Sequence, residues 1–369
     1  MNIAIVGMGI SGLLTSLYLL LNNHVDTVTI YEKKYKEFLP RKHCTGLVSK
    51  ETLARIPYAD KFIKNSYSYV EISTVEGLDV VLMFNKGSIY RIDRVSHEKF
   101  VVDIISDKGV TVKYGENVVG VEKFGDRYRV LGKDIHNELF DVVVISEGYP
   151  PRISKSVGLE AVYKPLKGIQ ADVELSKKLK YEQIETLCIY LGVDSDGFAW
   201  FVPGSDRRAV VGVAVKNTPS SYLKLAIKLF EKKLGLDVEE IVDIYGGVVL
   251  RGYPKKVVVE RVLGIGDAVA MVKSLSGGGL YAISIASRIY GENIHRLGIA
   301  EKEVELLIRE LKNQYMLFKL VSRTLRIRSG YQKKRKIVLD IDESRLYDNH
   351  VEVLIEFLKK PHILLKFFV

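Results

Sequence analysis

The chain has 369 residues, 47% apolar and 27% charged, which is enough to bury more than one core and excludes a disordered, collagenous or coiled-coil chain. Its two cysteines, Cys44 and Cys188, exclude a disulfide framework, and no Cys/His spacing suits a metal site, which favours a reducing interior. The formal net charge of +10 points to an anionic partner, and nine basic residues fall between Lys312 and Lys336 without one acidic residue.

Residues 2–6 read as a short buried strand, 10–22 as a helix, and 27–31 as a β-branched strand ending at Glu32. Together they make a strand, helix, strand unit of the length a parallel crossover needs. The apolar run over 3–21 lacks a basic leader and a small-residue cleavage site, so no signal sequence and no membrane span are expected. Between residues 67 and 90, β-branched and aromatic residues broken at Glu76-Gly77 and Lys86-Gly87 predict antiparallel strands, and 96–106 predicts a helix. Strands are expected over 110–114, 118–124, 128–131 and 141–145, returning to the first sheet.

After Tyr149-Pro150-Pro151 the pattern changes to longer strands, over 168–173, 186–193, 198–202 and 209–215, followed by an amphipathic helix over 222–234. A strand over 257–265 and a small-residue helix from Leu280 lead back to the first domain. The expected fold is thus α/β. A Rossmann-type domain takes 1–150 plus 257–300, with part of 50–95 on the substrate side. An antiparallel-sheet substrate domain takes 151–256, and a helical region takes 301–369.

The chemistry begins at Gly7-Met8-Gly9-Ile10-Ser11-Gly12, a G-x-G-x-x-G turn between an apolar strand and a helix. The first glycine permits the tight turn, the second lets a pyrophosphate approach the backbone, and the third allows close helix packing. The helix N-terminus, at Ser11, offers free N–H groups to the phosphates. Glu32, twenty residues after Gly12, suits the ribose hydroxyls and repels a 2′-phosphate. A second cluster, Gly264-Ile265-Gly266-Asp267-Ala268 followed by Ser276-Gly277-Gly278-Gly279-Leu280, turns the reading from a nicotinamide to FAD. Asp267 suits a ribityl hydroxyl, and the amides of Gly278, Gly279 and Leu280 suit the charge that develops on a reduced flavin ring.

On these residues the chain resembles the geranylgeranyl reductase family of FAD-dependent oxidoreductases, within the fold group of the aromatic hydroxylases and glutathione reductase. Lys42-His43-Cys44-Thr45-Gly46-Leu47-Val48-Ser49 is similar to that family's C-x-G-L-V-S segment beside the flavin ring. Gly197-Phe198-Ala199-Trp200-Phe201-Val202-Pro203 is similar to its Y-x-W-x-F-P motif lining the prenyl-chain cavity, with Phe198 and Val202 departing from the usual residues. Ser146-Glu147-Gly148 departs from the aspartate that related hydroxylases carry before the glycine. Residues 358–361 and the apolar residues that follow also resemble the family's ending.

The resemblance implies FAD contacts at Lys33, Cys44, Thr45, Gly46, Arg94, Val118, Gly148 and Gly266, beside the glycines and Glu32 already named. It implies substrate contacts at Phe198, Trp200 and Pro203, and Cys44 as the catalytic candidate. His43 and Cys44 are neighbours on an extended segment and point apart, so they are not expected to act as a dyad. The implied reaction saturates C=C bonds of a prenyl chain on a lipid precursor or prenylquinone. The implied electron donor is transient, a ferredoxin or NAD(P)H. The expected setting is cytoplasmic, with peripheral contact to an anionic membrane through the basic segment and no nucleic-acid partner. Two alternatives stay open: a flavin monooxygenase or halogenase of the same fold, and a flavin electron-transfer or lipid-surface binding protein.

Overall fold

The computed structural model describes residues 1–22, 25–74, 78–133, 135, 138–327, 335–341 and 343–358. The strand Asn2–Val6 lies inside a six-stranded sheet of order Val258–Val259, Val262–Gly264, Val142–Ile145, Asn2–Val6, Thr27–Glu32, Thr111–Tyr114. Every pair is parallel except the hairpin formed by its two C-terminal strands. Its central strands are unbroken apolar runs because helices cover both faces, and Ile3, Ile5, Val142, Val143, Val144 and Ile145 are fully buried. Tyr31, Val6, Ile145 and Gly264 share one row across the sheet. The turns that follow them therefore leave side by side at its carboxyl edge, where open α/β sheets bind ligands.

The second layer is an eight-stranded sheet of order Val238–Lys256, Glu160–Leu175, Arg208–Val215, Phe198–Pro203, Thr186–Leu191, Tyr69–Thr74, Leu78–Phe84, Arg335–Ile341. The helix Pro219–Leu234 closes one face, setting Leu223, Ala226 and Phe230 against Phe201, Val211 and Val213. Strand alternation sends Gln170, Gly212 and Trp200, which share a cross-strand row, to the other face.

Some expectations are corrected. Val118–Phe124 and Arg127–Gly132 do not return to the first sheet; with Leu139–Phe140 they form a separate three-stranded sheet. Their alternation is the same whichever sheet they join. The C-terminal region is mostly helical, through Leu297–Ile327 and His350–Leu358, but contributes the strand Arg335–Ile341 to the large sheet. The basic segment is split accordingly. Its helical part ends at Ile327, while 328–334, the Glu76-Gly77 turn and the ending 359–369 lie outside the described residues. Among the described residues no helix is long and apolar enough to cross a membrane, and no cluster of side chains could hold a metal ion.

Candidate active site

The glycine turn has the geometry its spacing predicts. Gly7 takes φ +102°, and a Cβ there would come 2.5 Å from the Ser146 carbonyl oxygen. A Cβ on Gly12 would sit far inside the van der Waals radius of the Gly7 carbonyl oxygen and 2.9 Å from Ser146 Oγ. Gly9 differs: a Cβ there meets no protein atom within 4 Å. The exposed Gly9 thus leaves open space at the N-terminus of Ile10–Asn22, where a pyrophosphate would fit.

The buried Glu32 carboxylate accepts the N–H groups of Met8 at 2.8 Å and Lys34 at 2.9 Å. Each oxygen keeps a lone pair for a ribose hydroxyl. The Lys33 side chain is exposed beside it. The amides of Gly115 and Glu116 donate to the carbonyls of Lys34 and Glu32, so the strand that starts at Val118 runs past this end.

Gly148 follows the neighbouring strand with φ +78°, and a Cβ there would meet no protein atom within 4 Å. Glu147, at the position of departure from the hydroxylase pattern, has a local task. It accepts the N–H groups of Arg152, Ile153 and Ser154 at 2.8–3.1 Å and so caps the turn Ile153–Ser156. From the third strand, Gly266 brings Asp267 in, and a Cβ on Gly266 would lie 2.8 Å from Ser11 Oγ. The second glycine cluster therefore meets the first.

Burial pushes the Asp267 carboxyl up to about 6, against the pull of the nearby Arg94 guanidinium. Because the folded value lies above the unfolded one, stability is fully present below the unfolded pKa and lost as pH rises through about 6. Asp267→Asn is therefore expected to raise the melting temperature of cofactor-free protein near pH ~7. The gain should vanish near pH ~4, as paired thermal unfolding curves would record.

Arg94 opens the helix Arg94–Asp107 and is buried against Glu98, four residues on. Burial alone would lower the guanidinium pKa, but Glu98 and the Cys44 sulfur beside it drive it up. Cys44 is half-buried, and its Sγ also accepts the Gly46 N–H at 3.4 Å. Gly46, at φ +82°, turns the chain tightly against Ile92. His43 shares a cavity wall with Cys44 and Arg94, its Nδ1 lying 2.6 Å from the Arg41 carbonyl.

A residue that sequence reasoning missed ties this segment to the large sheet. Gln170 Oε1 accepts Thr45 Oγ1–H at 2.9 Å and Trp200 Nε1–H at 3.3 Å, while its Nε2 donates to the His43 carbonyl at 3.2 Å. Trp200 lies flat over Gly212, where a Cβ would collide with the indole. Phe198 packs beside Trp200 with ring centroids 5.4 Å apart and carries the Arg251 guanidinium over its ring. Pro203 closes the strand by accepting the Tyr67 hydroxyl at its carbonyl, 2.5 Å away.

A cavity of about 870 Å³ opens beside Cys44, Thr45 and Arg94. Phe198, Trp200 and Pro203 do not line it. Its walls carry Arg41, Lys42, Lys64, Arg91, Arg94 and Arg208 against only Asp93 and Asp172. Lys42 is held by Asp172 and Asp243 and sits 4.2 Å over the Tyr245 ring, and Lys64 pairs with Asp93 at 3.4 Å.

The chain is similar in sequence to digeranylgeranylglycerophospholipid reductases of archaea. It is 25% identical to that of Methanocaldococcus jannaschii over 320 residues, covering 83% of this chain and 78% of the relative. It is 24% identical to that of Methanococcus vannielii, covering 100% of this chain and 97% of the relative. The fold is that of a geranylgeranyl bacteriochlorophyll reductase-like protein from Thermoplasma acidophilum, with TM-score 0.73, 16% identity, and coverage of 97% and 98% of the two chains. A flavin-dependent brominase shares it with TM-score 0.65 and 12% identity, over 96% of this chain and 100% of that one. No protein-family model matches the chain.

Proposed function

We propose that this chain, a member of the geranylgeranyl reductase family of FAD-dependent oxidoreductases, saturates C=C bonds of a prenyl chain carried on a phosphate-bearing lipid. The observation that carries the proposal is the coincidence of two findings. Similarity to digeranylgeranylglycerophospholipid reductases runs along the chain, and the Cys44 segment, Arg94, Asp267 and the Trp200 strand converge beside one another.

FAD, when bound and reduced, supplies a hydride. The Gly7–Gly12 turn would hold its pyrophosphate, Glu32 its ribose, the Val118 backbone its adenine and Asp267 its ribityl chain. The N–H groups at Gly279 and Leu280, opening the helix Leu280–Asn293, would meet negative charge developing on the reduced ring. The Cys44 thiol, beside Arg94, would give a proton to the neighbouring carbon. The half-buried Trp200 would offer an aromatic face to positive charge developing on the alkene, with Phe198 packed beside it.

The basic cavity favours a phosphate head group over a quinone. Among the described residues Arg41, Arg91 and Arg208 have no carboxylate partner. The exposed Arg309, Lys312 and Met316 on the long helix suit contact with an anionic membrane, and the transient electron donor is a ferredoxin or NAD(P)H.

Turnover of a geranylgeranyl phosphate and of the matching alcohol tests the head group. The double variant Arg91→Gln/Arg208→Gln is expected to raise KM for the phosphate about tenfold and to leave the alcohol unchanged. Equal effects on both substrates would contradict the phosphate assignment. Oxygen uptake that depends on an aromatic substrate would replace the reductase reading with a monooxygenase or halogenase.

A further inference from the structure

A buried ion pair that the proposed reaction does not use joins the two walls of the site. Lys273 is 5% exposed and Asp348 2%, and Lys273 Nζ donates to Asp348 Oδ1 at 2.6 Å. The other carboxylate oxygen accepts the hydroxyls of Ser49 and Thr52. Burial alone would raise the Asp348 carboxyl. The Lys273 charge and the hydrogen bonds from Lys273, Ser49 and Thr52 hold it below the usual carboxylate range.

Each partner is built into a different wall. Ser49 ends the short strand Leu47–Ser49 that follows Cys44-Thr45-Gly46, and caps the helix Lys50–Arg55 by accepting the Thr52 N–H at 2.9 Å. Lys273 closes the glycine loop. Its N–H donates to the Gly278 carbonyl at 2.9 Å and its carbonyl accepts the Gly277 N–H at 2.7 Å. A Cβ on Gly278 would come 3.3 Å from Lys273 Cε and 4.0 Å from Nζ, so the ammonium lies along the loop. Asp348 is itself anchored from the long helix, where Gln314 Nε2 donates to its carbonyl at 3.1 Å. One carboxylate from the C-terminal segment thus grips both walls.

We infer that Asp348 is a positioning residue for the cofactor, acting through Lys273 and Ser49 to set the spacing between the Gly277–Gly279 loop and the Cys44–Gly46 segment. The same grip keeps the Lys273 ammonium beside the loop that would face the flavin ring. The identity of that ring rests on the flavin reading above. A pair that served stability alone could be replaced by apolar residues of similar size without consequence for the cofactor.

The test uses full-length protein loaded with FAD, comparing Asp348→Asn, Lys273→Met, Asp348→Glu and the double variant Lys273→Met/Asp348→Leu. Melting temperature, FAD affinity, the midpoint potential of bound flavin and reoxidation by a prenyl phosphate are read for each. The two single variants are expected to shift the potential and to slow reoxidation per bound flavin by about ten- to a hundredfold, with KM little changed. Asp348→Glu should recover most of the rate. The apolar double variant should recover the melting temperature but not the potential. Variants that lose melting temperature yet keep the wild-type potential and rate per bound flavin would overturn the inference. If the unaltered protein never reoxidises with prenyl substrates, the reductase reading fails, while FAD affinity and potential still decide the role of Asp348.

Discussion

A Gly9→Ala protein is expected to fold with the stability of the unaltered chain and to lose FAD affinity by about a hundredfold or more. The argument rests on what an added methyl group would meet. At Gly9 it meets no protein atom within 4 Å, and the backbone is not in the left-handed region, so the cofactor-free fold has no reason to resist it. The stability change should stay within about 0.5 kcal/mol. That same space is where a pyrophosphate would rest on the helix N-terminus.

Gly12→Ala should behave in the opposite way. Its methyl would collide with the Gly7 carbonyl oxygen and press on Ser146 Oγ, which itself donates to the carbonyls of Val6 and Gly7 at 2.9 and 2.7 Å. Helix and turn must part, at about 3 kcal/mol or more. Thermal unfolding of cofactor-free protein together with FAD titration separates the two cases. Equal destabilisation by both variants would show that Gly9 serves the fold rather than a ligand.

Gln170→Leu is expected to destabilise the protein by about 2–4 kcal/mol and to slow turnover by about tenfold or more. Gln170 is 3% exposed, and leucine of similar size would leave Thr45 Oγ1–H, Trp200 Nε1–H and the His43 carbonyl without their partner. Each unsatisfied buried group costs about 1–3 kcal/mol, reduced where water can reach the half-buried Thr45 and Trp200. The second effect follows from position. Gln170 is the hydrogen-bonded link between the Cys44 segment and the strand that carries Phe198 and Trp200. Chemical denaturation measures the first effect, and single-turnover flavin reoxidation measures the second. Unchanged turnover in a destabilised Gln170→Leu protein would mean that the two segments need no such link.

The parts of the site legible in the sequence are those whose chemistry is local. Gly7, Gly9, Gly12 and Glu32 are fixed by spacing along one strand, turn and helix, and the structure sets the Asp267 turn beside them because parallel strands end in register. Gln170, Gly212, Lys273 and Asp348 were illegible because each acts on a partner at least twelve residues away, and no local pattern distinguishes them from ordinary polar or small residues. In the fold, the strand Val238–Lys256 has no clear sequence signature, since Gly246-Gly247 and Pro254 interrupt it. Gly246 is needed there, since a Cβ would strike the backbone of the paired strand at Gly168. The strand Arg335–Ile341 finds its partner, Leu78–Phe84, some 250 residues earlier in the chain, a pairing that no local periodicity encodes.

The most direct measurement is an anaerobic single turnover. The purified protein's flavin is reduced with dithionite, geranylgeranyl phosphate is added, and flavin absorbance and product mass are followed together. The account predicts that the flavin reoxidises and that the product gains the mass of one hydrogen molecule for each double bond saturated. Bound flavin that stays reduced in the presence of prenyl substrates, or a purified protein that binds no flavin, would contradict it.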